Sequence, residues 1–276
     1  MRQINRCAYR GAALACLFVT SNVMAADQST SSAPLEPRGW IITLGAGTEY
    51  GPSYEGAHDK SFSFVPSFDI RRLGEAADLS APDDNIDYSL FELGGVEIGP
   101  VVSLRGNRKP SDDPSLQGLH EIRWSVDAGA FAQYWAIQDK LRFRVEARQG
   151  LRHDDGFVAD LGADWFQRAG KDLIFSVGPR LSFANATYMQ NNFGVSANEV
   201  ANGALLPAYD ARGGVKSVGV VASVTYQLTD TMSIQAYDKF ERLVSDAADS
   251  PIVTQGGSPN QNSIGIILSR SFEFRF

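Results

Sequence analysis

Cysteine is nearly missing from this 276-residue chain: Cys7 and Cys16 are the whole supply, and both sit close to the start. There Arg2, Arg6 and Arg10 form a basic leader, residues 11–19 a short apolar core, and Val23-Met24-Ala25 a small-residue cleavage signal before Ala26. This is the pattern of a secretory signal peptide over 1–25. Cys16 invites a lipoprotein reading, but the position three before it is Ala13 and apolar sequence runs on to Val19. With the signal removed no cysteine is left, so disulfides cannot hold the exported protein together.

A transmembrane helix is also missing, because no apolar run beyond the signal approaches the roughly 20 residues needed to cross a bilayer. Passage through a membrane is then open only to a closed barrel. Positive charge is short: the formal charge is −7, and −10 once the three leader arginines are gone. That balance argues against a nucleic-acid partner. Histidine is limited to His58, His120 and His153, and there is no HExxH, GxSxG, phosphate-cradling glycine loop or cysteine cluster. His120-Glu121 and His153-Asp154-Asp155 do put a base beside carboxylates, the minimum for hydrolytic or acyl-transfer chemistry. A loop histidine next to acids is ordinarily just solvated, so the expectation is no catalysis, no cofactor and no metal centre. The acidic pairs Asp83-Asp84, Asp112-Asp113 and Asp154-Asp155 read as solvated loop charge, with divalent-cation bridging to lipopolysaccharide as the other option.

What the chain has in abundance is alternation. The end is the clearest case: Ile264, Ile266, Leu268, Phe272, Phe274 and Phe276 share one parity, with Gly265, Ser269, Ser271, Glu273 and Arg275 between them. Phe272, Phe274 and Phe276 form the C-terminal signature of a strand with lipid on one side and a polar lumen on the other. A soluble sandwich would show the same alternation. The pattern recurs at Trp40–Ala46, Phe62–Ile70, Val96–Leu104, Ile122–Ala130, Leu141–Ala147, Phe157–Trp165, Leu173–Phe183, Val218–Leu228 and Met232–Ala236. The fold expected is an all-β, antiparallel transmembrane barrel over 38–276, preceded by a flexible, Ser- and Pro-rich periplasmic tail at 26–37.

The interleaved positions are the candidate lumen lining: Glu97, Arg105, Arg123, Asp127, Arg142, Arg144, Glu146, Arg148, Arg180, Lys239 and Glu241. Two outcomes are open. The arginines line one wall of an open lumen and favour anions, or the acids neutralise them in a closed network. Pro66, Pro100 and Pro179 fall inside apolar stripes, where each removes a ladder hydrogen bond and calls for a bulge or an edge. Arg270, Asp238 and Arg242 fall on the apolar parity, and a mid-membrane Arg facing lipid costs about 2–4 kcal/mol. Either bulges turn them inward or their strands run past the bilayer.

Connections at 137–140, 168–171 and 229–230 are short, whereas 106–120, 185–212 and 246–261 are long. Short periplasmic turns and long outer loops are the barrel pattern, and with both termini periplasmic the strand number is even. Twelve strands result if 72–94 supplies a short hairpin ending in Ile86 to Leu93, ten if it is a plain connection; twelve is preferred. Such a lumen lies between the filled interior of eight strands and the aqueous pore of sixteen or more. The long loops can pack over one another as a cap or bind an external ligand.

Several segments resemble the MipA/OmpV family of outer-membrane proteins. They are Gly45-Ala46-Gly47 with Tyr50-Gly51-Pro52-Ser53-Tyr54-Glu55-Gly56, then Tyr188 with Asn192-Phe193-Gly194-Val195-Ser196. The strongest are Ala208-Tyr209-Asp210-Ala211-Arg212-Gly213-Gly214-Val215-Lys216 and Arg242-Leu243 followed by Asp246-Ala247-Ala248-Asp249-Ser250-Pro251-Ile252-Val253. The resemblance implies a barrel in the outer membrane of a Gram-negative bacterium, among lipid and lipopolysaccharide. It further implies, for some members, a scaffold joining a lytic transglycosylase to a penicillin-binding murein synthase in peptidoglycan synthesis. A narrow passive channel, a porin for small solutes, is the alternative.

Overall fold

The computed structural model describes residues 38–75, 77 and 79–276. The expected signal peptide and the expected tail lie outside these residues. Twelve strands form one sheet: β1 (Gly39–Pro52), β2 (Lys60–Arg72), β3 (Ile86–Asp87), β4 (Phe91–Leu93), β5 (Val96–Arg105), β6 (Ser125–Ile137), β7 (Leu141–Gly150), β8 (Phe157–Ala169), β9 (Leu173–Ala184), β10 (Gly214–Thr229), β11 (Met232–Leu243) and β12 (Asn260–Arg275). Every ladder is antiparallel, and β1 closes onto β12 from Gly39 opposite Arg275 to Tyr50 opposite Ile264. Both ends of the described sheet therefore lie at one rim, called here the terminal rim.

Alternation dictates the two faces. On β7, Arg142, Arg144 and Glu146 are buried while Phe143 and Val145 are exposed. Apolar side chains stand out of the sheet all round it, with Phe62 75% and Phe64 70% exposed, and Val177, Val220, Ile266 and Leu268 in the same position on their strands. A continuous outward belt of this size would cost about 1.5–3 kcal/mol per large side chain in water, so its medium is hydrocarbon. Charged residues on the outward parity sit at the rims. Arg270 is level with Met232, the first residue of β11, and lies over the Phe272 ring at 5.3 Å. Asp238 and Arg242 bond to Asn262 and Asn260 at the opposite rim, where β2 and β12 begin. No bulge turns these three inward: the β11–β12 ladder is unbroken from Met232 opposite Arg270 to Arg242 opposite Asn260.

The three prolines each have a local reason. Pro66 lies on β2, which has a ladder partner on one side only. Pro179 falls where the β8–β9 ladder skips from Gly162–Arg180 to Trp165–Val177. On the outward side of this gap is an apolar groove of about 470 Å³, lined by Tyr134, Phe143, Val145, Leu161, Pro179 and Leu181 among others. Pro100 lies where β3 gives way to β4: Ile86 pairs Val102 and Phe91 pairs Ile98, so the register slips by one residue between them. Close approach at that slip requires Gly99, since a Cβ there would stand 1.9 Å from the Tyr88 carbonyl oxygen.

This corrects one expectation. Twelve strand segments are present, but 72–94 forms no separate hairpin: β3 and β4 are two pieces of one interrupted strand along β5, so the sheet is eleven strands across and not the even number expected. Following the antiparallel alternation, that strand runs in the same direction as β2. The chain leaving β2 at the terminal rim must consequently climb inside the sheet before β3 can descend. The Tyr88 and Trp40 rings, 6.3 Å apart, bring the two ends of the ladder together.

At the other rim the long connections carry short helices α1 (Ala186–Phe193), α2 (Ala197–Ala201), α3 (Ser245–Asp249) and α4 (Pro251–Thr254). They hold the conventional hydrophobic core of the chain. Met189, Phe193, Leu243, Ala247 and Val253 form one buried cluster, and Tyr54, Leu116, Val195, Leu206 and Ile252 a second. Helices this short are marginal alone and depend on tertiary packing. Asn185 and Ser196 cap α1 and α2, and Ser196 with Glu199 completes a capping box.

Candidate functional site

Inward parity on β5 to β9 gathers five arginines, and each has an acidic partner. Arg105 Nη2 lies 2.7 Å from Asp127 Oδ2. Arg148 pairs with Asp160, and its Nε stands 3.6 Å from Glu146. Arg144 donates to Glu146 at 2.8 Å, and also to Asp87 and to Gln133. Arg142 and Arg180 share Asp164: Arg142 Nη2 reaches Oδ2 at 2.8 Å and Arg180 Nη2 reaches Oδ1 at 2.7 Å. Arg142 and Asp164 are each 2% exposed, so this ion pair has essentially no solvent.

The remaining acids come from inside. The segment between β2 and β3 brings Asp83 and Asp84 to the arginines, and each carboxylate accepts a two-pronged bond. Asp84 takes Arg142 Nη1 and Nη2 at 2.7 and 2.9 Å, and Asp83 takes Arg180 Nε and Nη2 at 2.8 and 2.8 Å. Asn85 donates to Glu146 at 2.6 Å, and Leu79 and Ala81 are buried beside them. Fork-on-fork pairs of this kind are the strong members of their class.

A second group of charges occupies β10, β11 and the connection from β1 to β2, beneath the cap. Lys216 Nζ pairs with Glu55 and stands 3.7 Å from Glu241, and Glu241 also pairs Lys239 at 3.5 Å and accepts from Ser217. Tyr188 of α1 donates to Glu55 at 2.7 Å. Its ring lies 4.5 Å from the Arg105 guanidinium and 5.6 Å from the Lys216 ammonium. One aromatic side chain from the cap thus spans the two charged walls. Burial, with the Glu55 carboxylate beside it, raises the Tyr188 hydroxyl well above its ordinary pKa, so it stays a donor.

Of the sequence-derived candidates, Arg105, Asp127, Arg142, Arg144, Glu146, Arg148 and Arg180 come together here, and Lys239 with Glu241 forms the second group. Glu97 is apart from the arginines and accepts from Gln133 at 2.8 Å and Ser89 at 3.0 Å. Arg123 is a correction. β6 begins at Ser125, not near Ile122, and Arg123 is exposed beyond its end, in no ion pair among the described residues. Ile122 instead bridges Arg108 within the cap. Phe272, Phe274 and Phe276 all lie exposed at the terminal rim. Sequence reasoning missed Asp160 and Asp164, although their parity on β8 marks them as inward. It also read Asp83-Asp84 as solvated charge, whereas both are ion-paired inside the sheet.

The histidine candidates are pinned or free-standing. His120 Nδ1 lies 2.8 Å from Glu199 and Nε2 3.0 Å from Asn191 Oδ1. His153 stands in solvent beside Asp154, whose hydrogen bond raises its pKa. Asp112 and Asp113 cap local turns, the latter accepting from Ser115 N and Oγ. Among the described residues no three His, Cys, Asp or Glu side chains converge as metal ligands.

Residues 44–272 match the family described as MltA-interacting protein MipA, which takes in all of the sheet but its outermost residues. This chain belongs to the MipA family. It is 28% identical over 225 residues to outer membrane protein Omp26La of Vibrio anguillarum, covering 78% of this chain and 80% of the relative. To outer membrane protein OmpV of Vibrio cholerae serotype O1 it is 27% identical over the same length, with the same coverage. Among solved structures it is similar to an outer membrane channel from Pseudomonas putida F1, at 11% identity and a TM-score of 0.44, over 86% of this chain and 96% of that one. The MipA-family chain described here is an outer-membrane β-barrel, with its apolar belt as the lipid-facing surface. The segments that carried the resemblance, Tyr188 to Ser196 and Asp246 to Val253, are the cap helices and their packing partners.

Proposed function

We propose that this barrel is a scaffold in cell-wall synthesis, with no catalytic activity of its own. It holds a lytic transglycosylase of the MltA type, and with it a penicillin-binding murein synthase, at the inner surface of the outer membrane. The observation that carries this reading is closure. The interior is bridged at mid-height by Asp83 and Asp84 on Arg180 and Arg142, and at the cap by Tyr188 between Arg105 and Lys216. A steady passive channel needs an open path along the lumen, and these side chains stand across that path at two levels.

The terminal rim is then periplasmic and the cap external. The contact surface consists of the short turns at 137–140, 169–172 and 229–231, with the 26–37 tail. Membership of the family described as MltA-interacting protein supports the choice of partner. The test is affinity purification of the detergent-extracted protein from its own envelope, comparing the mature chain with one lacking 26–37. Co-purification of a peptidoglycan-cleaving transglycosylase, reduced by the truncation, is the expected result. Recovery of lipopolysaccharide alone, together with steady ion flow in planar bilayers, would replace the scaffold by a passive channel.

A further inference from the structure

The inner segment is attached in an unusual way. Between Glu75 and Ile86 its backbone makes no ladder bond to the wall among the described residues; its one backbone bond there is the local turn from Asp84 N to Ala81 O. Side chains do the holding: Asp83, Asp84, Asn85 and Asp87 on Arg180, Arg142, Glu146 and Arg144. The receiving side is rigid by comparison. Arg142 and Arg180 project from β7 and β9, and Asp164 on β8 between them bonds both. Two guanidinium forks are thereby fixed side by side, each facing one carboxylate of an adjacent pair.

Two carboxylates on one short backbone, each bound by its own fork, amount to a built-in dicarboxylate. We propose that the Arg142–Asp164–Arg180 cluster is a binding site for small dicarboxylates, which the chain's own Asp83-Asp84 pair occupies as a displaceable latch. A free dicarboxylate of similar reach takes both forks at once. It frees Asp83 and Asp84 from the wall without breaking any ladder hydrogen bond, because the pairing of β3 with β5 begins only at Ile86. A monocarboxylate fills only one fork and leaves the other aspartate in place, so selectivity follows from geometry. The site shares its latch aspartates with the bridge that supports the scaffold reading, but it uses none of the rim turns, so the labelling test and the partner-capture test fail separately.

The test uses the full mature chain carrying Ala81→Cys, a single thiol at a position 5% exposed. A charged, membrane-impermeant thiol reagent labels it in detergent micelles, with succinate or acetate present at matched ionic strength. Succinate is expected to raise the labelling rate at least about fivefold over acetate. With Asp83→Asn and Asp84→Asn added, the thiol should label at the fast rate in either anion. Equal rates in succinate and acetate with the native aspartates would overturn the proposal. So would continued protection of the introduced thiol in the double-Asn variant whose circular dichroism shows an intact barrel. If the double variant does not fold, Asp83→Asn alone serves, and it should halve the succinate preference or more. The comparison of the two anions on the native latch needs no folded variant of the latch and decides the matter by itself.

Discussion

Asp164 is the residue on which the interior depends most, and Asp164→Asn isolates its charge with almost no change of shape. In the parent, Asp164 is 2% exposed and accepts from Arg142 at 2.8 Å and Arg180 at 2.7 Å. Charges about 4 Å apart attract by about 4 kcal/mol at an effective dielectric constant near 20, so two contacts amount to about 8 kcal/mol gross. Two terms reduce this. Neutralising Asp164 removes its own desolvation cost, and both arginines retain a latch aspartate, Asp84 or Asp83. The asparagine amide, however, turns a donor toward one guanidinium, which is itself all donors. The net loss expected for breaking a buried network at one partner is about 3–5 kcal/mol. The assay is reversible urea unfolding in lipid vesicles followed by tryptophan emission, with Trp165 adjacent in sequence as a near reporter. Glu273→Gln is the matched control: its ion pair with Arg275 spans 2.7 Å but stands in solvent, so about 0.5 kcal/mol or less is expected there. If Asp164→Asn costs under about 1 kcal/mol, no more than a surface pair, the electrostatic account of the interior is wrong.

Tyr188→Phe deletes the donor to Glu55 while keeping the ring between Arg105 and Lys216; a loss of about 1–3 kcal/mol in the same unfolding assay is expected, since Glu55 keeps Lys216. Gly156→Ala should open the cap and spare the barrel: φ is +70° there and a Cβ would stand 2.3 Å from the Tyr188 amide nitrogen. Proteolysis within 185–212 should accelerate while the β-sheet circular dichroism is unchanged. Glu199 has a pH signature. Burial raises its pKa, but hydrogen bonds from Ser196 and His120 outweigh this and hold it down at about 2. A depressed carboxylate stabilises the fold above its unfolded pKa, and that contribution fades as pH falls from about 4.5 toward 2. Glu199→Gln should therefore lower the thermal midpoint near pH 6, with the gap to the parent narrowing across that window; a constant gap would refute the assignment.

The belt and the inward charges were legible before any coordinates because a strand has a period of two. Leu141 to Arg148 shows apolar and charged residues on opposite parities, which fixes the two faces of the strand before its surroundings are known. The capping residues Asn185 and Ser196 were likewise present in the chain, but nothing marked α1 to α4 as helices. Their apolar residues form no long periodic run, and they hold together only by packing on Leu243, Ile252 and each other. Rim position was decided by register: Arg270 faces outward in sequence and in space, and its pairing with Met232, the first residue of β11, places it near the terminal rim.

The path of 73–85 was beyond sequence reasoning for a physical reason. Parity assigns a residue to a face of its own strand and says nothing of a segment that belongs to no ladder. Asp83 and Asp84 look solvated in the chain because their partners, Arg180 and Arg142, are 97 and 58 residues away and reach them only across the closed interior. Alternation by itself determined which parity of each strand is apolar and which strands carry the arginines, and with the terminal Phe, the loop lengths and the family resemblance it pointed to a barrel. Only the tertiary structure decided that the arginines are neutralised from within, because that matching depends on the path of an inner segment outside every ladder, which no local pattern encodes.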